Sequence, residues 1–229
     1  MKSRNLYKIG IIIFFGVNLF LTFNKHSKSG YFNYHSEIWA DNAGYYVYLP
    51  ATFNFNFDSN NFPDSIDTKT GDGFTLDNKN KKVVTKYTYG VALMQMPFYL
   101  VANSLAEPLH FEKNGFSPIY HWCINVASVF YLVLGLFFLK KFLDPLFGKR
   151  TSLLSVLTIY LATNLFYFAI NETGMSHVYS FSLFCFLLYF LQSTNYLEKQ
   201  KTGSHLLFGC IVGLIVLIRP TNLLFLSVW

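Results

Sequence analysis

Charged side chains are scarce in this chain: Asp, Glu, Lys and Arg make up 13% of its residues, whereas 52% are hydrophobic and 20% are aromatic. Because a soluble globular domain has about 25% charged residues, this chain has too few of them to cover a water-facing surface. The hydrophobic residues lie in long uncharged runs, and a helix needs roughly 20 such residues to cross a bilayer. The composition therefore predicts an integral membrane protein.

Features that signal metal or nucleotide binding are also missing. The cysteines, Cys123, Cys185 and Cys210, lie inside apolar runs without metal-ligand spacing, and we interpret them as small buried hydrophobic residues. Residues 67–73 fail as a calcium loop because lysine and glycine occupy positions that require oxygen ligands. The sequence has no Gly-rich phosphate loop. We expect no cofactor; a divalent metal stays open but has no support in the residues.

The formal net charge is +6, yet the positive residues do not form a basic patch suited to a duplex. They lie mostly in short segments beside the hydrophobic runs, where such residues set the orientation of a membrane protein. We therefore expect contacts with membrane lipid and none with nucleic acid.

The hydrophobic runs predict about five membrane spans. They cover roughly 7–23, 119–140, 151–170, 176–193 and 205–229. The first run could be a secretory signal, but no small-x-small cleavage site follows, so we interpret it as an uncleaved helix with a cytoplasmic N-terminus. Alternation then places the basic segments 1–8, 140–150 and 195–205 in the cytoplasm, as the positive-inside rule requires.

Residues 24–118 form the predicted outer loop, which is polar and irregular over most of its length. Within it, residues 74–77 and 83–87 predict a small β-hairpin around a turn rich in Asn and Lys. Residues 91–106 are apolar but short and contain Pro97, which favours an interfacial or half-buried helix over a full span.

Asp41 stands out in this loop because aromatic residues flank it in the stretch SEIWADNAGYYVYLP. Tyr and Trp favour the membrane interface, so the carboxylate is expected at the level of the lipid headgroups. There it could accept a proton from a substrate hydroxyl. A solvated loop acid or a helix N-cap is the alternative.

Arg219 interrupts the last apolar run, and charges within a hydrophobic segment usually mark function. Counting residues along the helix places it nearer the outer face, where Pro220 would open the helix. A guanidinium suits bidentate phosphate binding. An arginine that extends to the membrane interface, or one paired with Glu172, would give the same sequence pattern. Glu172 and His177 in the short outer loop 171–177 could line the same cavity or cap a helix.

Three segments together resemble a known family: IWADNAGYYVYLPA, KYTYGVALMQMPFY and GCIVGLIVLIRPTN. In this order they are similar to the N-terminal part of GT-C glycosyltransferases, most of all the bacterial branch related to protein O-mannosyltransferases and the lipid A aminoarabinose transferase. The resemblance implies a single GT-C-like module over residues 1–229, an all-α polytopic helix bundle with interfacial helices and a hairpin in the outer loop. It also implies location in a bacterial inner or plasma membrane.

By that resemblance, Asp41 would be the catalytic base and Arg219 would bind the phosphate of a polyprenyl-phosphate-sugar donor. The sugar would pass to an acceptor on the extracytoplasmic side with inversion. The family often has a second acid beside the base, but Asn42 stands there and Glu37 is the nearest upstream acid. Further candidates to line the cavity are Glu37, Tyr45, Tyr87, Tyr89, Glu172 and His177.

Family members are longer than this chain, which reaches Trp229 within hydrophobic sequence, so we expect it to be incomplete at its C-terminus. The alternative to an enzyme is a non-catalytic membrane protein: a transporter or export subunit, or an inactive truncated paralogue. A receptor that uses the outer loop as a sensor is a weaker third interpretation. The identities of the sugar, the acceptor and any protein partner stay open.

Overall fold

The computed structural model describes residues 2–196 and 202–226, and most of these are helical. The helices are α1 (Lys2–His26), α2 (Asp41–Tyr46), α3 (Tyr48–Phe53), α4 (Ile66–Lys69), α5 (Gly90–Leu105), α6 (Pro118–Phe147), α7 (Lys149–Ala162), α8 (Leu165–Ile170), α9 (Ser176–Ser193), α10 (Thr202–Ile218) and α11 (Leu223–Leu226). Two strands, β1 (Thr75–Asp77) and β2 (Lys82–Val84), pair antiparallel with Leu76 opposite Val83. Short 3₁₀ turns cover Ser59–Asn61, Glu107–Leu109 and Pro220–Asn222.

Among the described residues, two helices are long and apolar enough to cross a membrane, judged by length and composition. They are Tyr7–His26 within α1, with a mean hydropathy of 1.5, and Pro118–Phe147, which is α6, with a mean hydropathy of 2.1. The apolar α10 is shorter. These two helices agree with the first and second predicted spans, and the five-span bundle stays a prediction.

Two predicted spans are broken in the structure. The run 151–170 forms α7 and α8 because Thr163 is extended (φ −123°, ψ 175°) and its hydroxyl accepts from the N–H of Leu165 at 3.2 Å, a local bond that competes with the helix. The last run ends as a helix at Ile218. Arg219 is extended there because a residue before proline avoids the helical region. Residues 227–229 of that run lie outside the described residues.

Other predictions agree with the structure. Helix α9 has the limits of the fourth predicted run, although it is not among the described helices that are long and apolar enough to cross a membrane. The predicted half-buried helix over residues 91–106 forms as α5, with Pro97 inside it. The hairpin forms where expected, although β2 ends at Val84 and the chain turns away before Tyr87.

Helix α6 lies at the centre, packed against α1, α5, α7, α8 and α9. Polar side chains tie these helices together in the apolar interior. Tyr160 on α7 donates to Asn18 on α1, and Gln95 on α5 donates to the Tyr179 hydroxyl on α9 at 3.0 Å. Such bonds satisfy groups that would be costly to bury alone, and they fix the helices relative to one another.

The bundle has two distinct ends. At one end, Nζ of Lys140, near the end of α6, lies 5.7 Å from the ring centroid of Tyr7 near the start of α1. At the other, Nε2 of His26 lies 3.0 Å from the carbonyl of Ile170, and Thr88 Oγ1 donates to the carbonyl of Ile218 at 3.4 Å. We call this second end, where His26, Ile170 and Ile218 meet residues 24–118, the loop end.

The tight approach between Gly73 and the start of α2 gives a stability prediction. A methyl group at Gly73 would collide with the carbonyl of Ala40 and the backbone N of Gly44, and backbone cannot move aside cheaply. Gly73→Ala should destabilise the fold by about 3 kcal/mol, as overpacking does. Gly213→Ala is the matched control, since outside the neighbouring backbone of α10 no heavy atom lies within 4 Å of a methyl group there. Thermal melting in detergent measures both, and an unchanged midpoint for Gly73→Ala would contradict the packing.

Candidate active site

Asp41, the candidate base, begins α2 and is accessible. Its side chain is 53% exposed, and Oδ1 lies 3.9 Å from Nζ of Lys86, which is 76% exposed. An ion pair this exposed contributes about 0–1 kcal/mol. The contact with Lys86 therefore leaves the carboxylate free to bind another group.

The backbone directly before Asp41 is strained. Ala40 adopts φ 47° and ψ −119°, a conformation that residues with a Cβ rarely adopt and that costs about 1–3 kcal/mol. Two backbone hydrogen bonds hold it: its N–H donates to the carbonyl of Thr70 at 2.7 Å, and its carbonyl accepts from the N–H of Gly44 at 3.1 Å. Strain of this kind persists where the surroundings fix it, and it is concentrated at functional sites.

The tyrosines proposed to line the cavity divide into two groups. Tyr45 and Tyr87 pack together with ring centroids 4.4 Å apart, and the Tyr87 hydroxyl is close enough to Asp41 for that carboxylate to raise its pKa. Tyr89 is 48% exposed and packs edge-on against Tyr48 at 6.1 Å. The structure thus brings Tyr87 to Asp41, with Tyr45 packed against the Tyr87 ring, and shows no contact between Tyr89 and that carboxylate.

Glu172 lies beside the residue that follows Asp41. Its Oε2 accepts from Asn42 Nδ2 at 3.3 Å, and its Oε1 accepts from the Tyr167 hydroxyl at 3.3 Å. A methyl group at Gly174 would lie 2.7 Å from both the Asn42 Cβ and the carbonyl oxygen of Glu37. The loop between α8 and α9 therefore packs directly on the segment that carries Asp41.

Arg219 lies at the same end of the bundle as Asp41, and residues 87–90 connect the two. Thr88 donates to Ile218, as described above, and a methyl group at Gly90 would collide with the backbone of Leu217 and Ile218. The start of α5 is thus packed on the end of α10, next to Arg219, while the neighbouring Tyr87 adjoins Asp41. This continuous stretch places both candidate residues at the loop end.

The guanidinium of Arg219 has no acidic partner within 4 Å in the part of the chain that the structure describes. It is half-buried and close enough to His177 to act on it electrostatically. The ring of His177 stacks on Phe168 with centroids 3.7 Å apart. Buried Asn222 fixes the helix break by donating to Ser180 Oγ and to the carbonyl of Ile215, both at 3.0 Å.

Glu37 is not exposed beside Asp41, contrary to the expectation that it lines the cavity. It is buried at 3% exposure, where Oε2 accepts from Nδ1 of His121 at 2.9 Å and Oε1 accepts from Nδ2 of Asn125 at 2.5 Å. Burial, the largest influence, favours the neutral acid, but the His121 hydrogen bond and the charges of His121 and His26 outweigh it. The pKa of Glu37 is therefore lowered.

His26 and His121 were not among the residues that the sequence singled out. Nε2 of His26 faces the carbonyl of Ile170, and Nδ1 faces the carbonyl of His35 at 3.1 Å and Glu37 Oε1 at 3.4 Å. All of these oxygens accept hydrogen bonds, so the ring of His26 bridges three acceptors. Through Glu37, His26 at the end of α1 is connected to His121 on α6. The spacing of these residues in the sequence does not indicate this connection.

The described residues contain no group of three His, Cys, Asp or Glu side chains that could hold a metal ion. Of the cysteines, Cys185 is buried, Cys123 is partly buried and Cys210 is exposed. The prediction that all three are buried is therefore wrong for Cys210, which faces outward from α10. An open depression of about 350 Å³ lies beside the hairpin, lined by residues 56–58 and 81–84, and neither Asp41 nor Arg219 lines it.

Comparisons with protein-family models, curated proteins and solved structures gave no match. The function of this chain must therefore be inferred from the geometry at the loop end.

Proposed function

We propose that this chain is a membrane glycosyltransferase of GT-C type. In this proposal it transfers a sugar from a polyprenyl-phosphate donor to an acceptor hydroxyl on the extracytoplasmic side. The observation that carries the proposal is the stretch 87–90, which adjoins Asp41 at Tyr87 and packs on α10 next to Arg219. One end of the bundle thus offers a carboxylate for the acceptor and a guanidinium for the donor.

Exposed apolar side chains support a membrane location. Only 11% of the apolar window in α1 is buried, and Ile12 and Phe20 on that helix are each 69% exposed. Leu154 on α7 and Leu206 on α10 are 66% and 72% exposed. Apolar surface spread over several helices marks contact with lipid or with another protein, and the scarcity of charge favours lipid.

The arrangement of the ends supports the proposed orientation. Lys140 and Tyr7 meet at the end opposite the loop end, so the basic segments 1–8 and 140–150 are on one side of the bundle. Because positive residues favour the cytoplasmic side, the loop end faces outward in this proposal. The lipid donor would reach Arg219 from the outer leaflet, past the exposed side chains of α11.

The chemistry proposed for this pair is a single displacement. Asp41 accepts the proton of the acceptor hydroxyl, whose oxygen forms a bond to the anomeric carbon as the bond from that carbon to the phosphate oxygen breaks. The polyprenyl phosphate leaves with the bonding electrons, and the sugar inverts. Arg219 stabilises the charge that develops on the leaving phosphate.

The role of Arg219 gives a kinetic prediction. A charged hydrogen bond is worth about 1.5–3 kcal/mol, so Arg219→Ala should raise the donor KM about 10- to 100-fold. In the assay, membranes carrying the full chain are supplied with mannose, glucose, galactose or aminoarabinose linked to undecaprenyl phosphate. The release of undecaprenyl phosphate is then measured. Arg150→Ala, an exposed arginine at the opposite end, is the control. An unchanged donor dependence for Arg219→Ala would remove it from phosphate binding, and no release from any donor would favour a non-catalytic protein.

A further inference from the structure

Tyr87 is held by contacts on several sides. Its carbonyl accepts from the Tyr48 hydroxyl at 2.5 Å, and its N–H donates to Thr85 Oγ1 at 3.3 Å. Thr85 Oγ1 in turn donates to the carbonyl of Gly44 at 3.0 Å, which ties this segment to α2. The ring lies against Tyr45. Both the backbone and the ring of Tyr87 are therefore fixed relative to the helix that Asp41 begins.

A glycine makes room for this ring. A methyl group at Gly44 would collide with two ring carbons of Tyr87 and with the carbonyl of Gly73. The side chain therefore occupies a slot in α2 that only glycine leaves open. Hydrophobic burial alone does not require this specific fit, because an apolar ring could pack against an ordinary helix surface.

The hydroxyl at the end of this fixed ring is unsatisfied. It is buried, and within the described part of the chain it has no hydrogen-bond partner. Asp41 is adjacent but outside hydrogen-bond geometry. Burial first, and then Asp41, raise the pKa of Tyr87, so the phenol keeps its proton and is a donor at neutral pH. A buried group without a partner costs about 1–3 kcal/mol, so its retention requires an explanation.

We infer that Tyr87 is a positioning residue whose hydroxyl donates a hydrogen bond to the Asp41 carboxylate in the protein in solution, before any substrate binds. A small rotation of the half-exposed Asp41 side chain, whose Oδ1 lies 3.9 Å from Nζ of Lys86, would close the bond. One carboxylate oxygen would then be fixed and the other would face the acceptor hydroxyl. The catalytic part of this inference rests on the proposed function; the pairing of the two side chains does not.

The test uses Tyr87→Phe, which keeps the ring, the slot and the contact with Tyr45 but removes the hydroxyl. A diazo compound esterifies only the protonated carboxylic acid, so site-resolved mass spectrometry of the full chain over a pH series gives a labelling midpoint for Asp41. Removing a donor to the carboxylate should move that midpoint to higher pH by about one unit. The other groups around this segment stay unchanged in the variant: Lys86 beside Asp41, Tyr45 against the Tyr87 ring, and Glu172, which accepts from Asn42. Tyr34→Phe, at a tyrosine 70% exposed in the same loop, is the control.

The sugar-transfer assay separates the two proposals. Tyr87→Phe should lower kcat about 10-fold with little change in KM and move the acid limb of the pH profile upward, which a purely structural role would not do. If the Asp41 midpoint is the same in Tyr87→Phe and wild type, the inference is wrong whatever the activity. If the midpoint moves but Asp41→Asn retains transfer, the pairing stands and the proposed function fails.

Discussion

Asp41→Asn is expected to lower sugar transfer about 10²–10⁴-fold, the contribution usual for a general base, while the protein folds and reaches the membrane. Asparagine has the same shape but cannot accept the proton of the acceptor hydroxyl. Little stability should be lost, because the only ion pair of Asp41 within the described residues is the exposed one with Lys86, which is worth about 0–1 kcal/mol. Transfer of radiolabelled sugar in membranes measures the activity, and thermal melting checks the fold.

Asp64→Asn is a matched control, since it makes the same change at another exposed acid of the same loop. It should leave transfer and melting as in wild type. Wild-type turnover in Asp41→Asn would mean that Asp41 is not the base. Equal losses in both variants would point to a general effect of loop charge.

Glu37→Gln is expected to have the largest effect on stability among the loop acids. It removes the charge that faces His26 and His121 in the interior, and breaking one side of a buried charge pair costs about 3–5 kcal/mol. For a chain of this size, each kcal/mol corresponds to a shift of about 2–4 °C in Tm. Glu107→Gln, at a residue 71% exposed, is the control. Its exposed pair is worth about 0–1 kcal/mol, so the Tm shift should be at most about 4 °C.

The lowered pKa of Glu37 also fixes the sign of a pH effect. A carboxyl group whose pKa is lower in the folded than in the unfolded protein contributes its full stability above the unfolded value, about 4.3. That stability is lost as the pH falls through the lower, folded value. The Tm difference between wild type and Glu37→Gln should therefore shrink below about pH 4. A constant difference down to pH 3 would mean that Glu37 is not held ionised by the histidines.

Elements whose ends are marked by nearby residues, such as a polar segment or a proline, were predicted from the sequence. The run before the polar segment around Glu198 predicted α9, and Pro220 predicted the break at Arg219 because proline and its predecessor both resist a helix. The break at Thr163 was missed because neither proline nor glycine marks it. There, a threonine hydroxyl competing for a backbone N–H decides the outcome.

The candidate site could be predicted only in part. Aromatic flanks pointed to Asp41, and an interrupted apolar run pointed to Arg219, since each signal lies within a few residues. The burial of Glu37 depends on His121, 84 residues away, and the slot for Tyr87 depends on Gly44. Such contacts follow from packing, so periodicity and spacing could not show them.

Asp41 and Arg219 are proposed to share the extracytoplasmic end of a membrane-spanning bundle, and the accessibility of single cysteines gives a direct test. Single cysteines would replace Lys86, Arg219 or Lys149 in a background without Cys123, Cys185 and Cys210. A membrane-impermeant maleimide is then added to intact cells. Lys86→Cys and Arg219→Cys should be labelled from outside, and Lys149→Cys only after permeabilisation. Labelling of Lys86→Cys from outside together with labelling of Arg219→Cys only from inside would place the two groups on opposite faces and contradict this proposal.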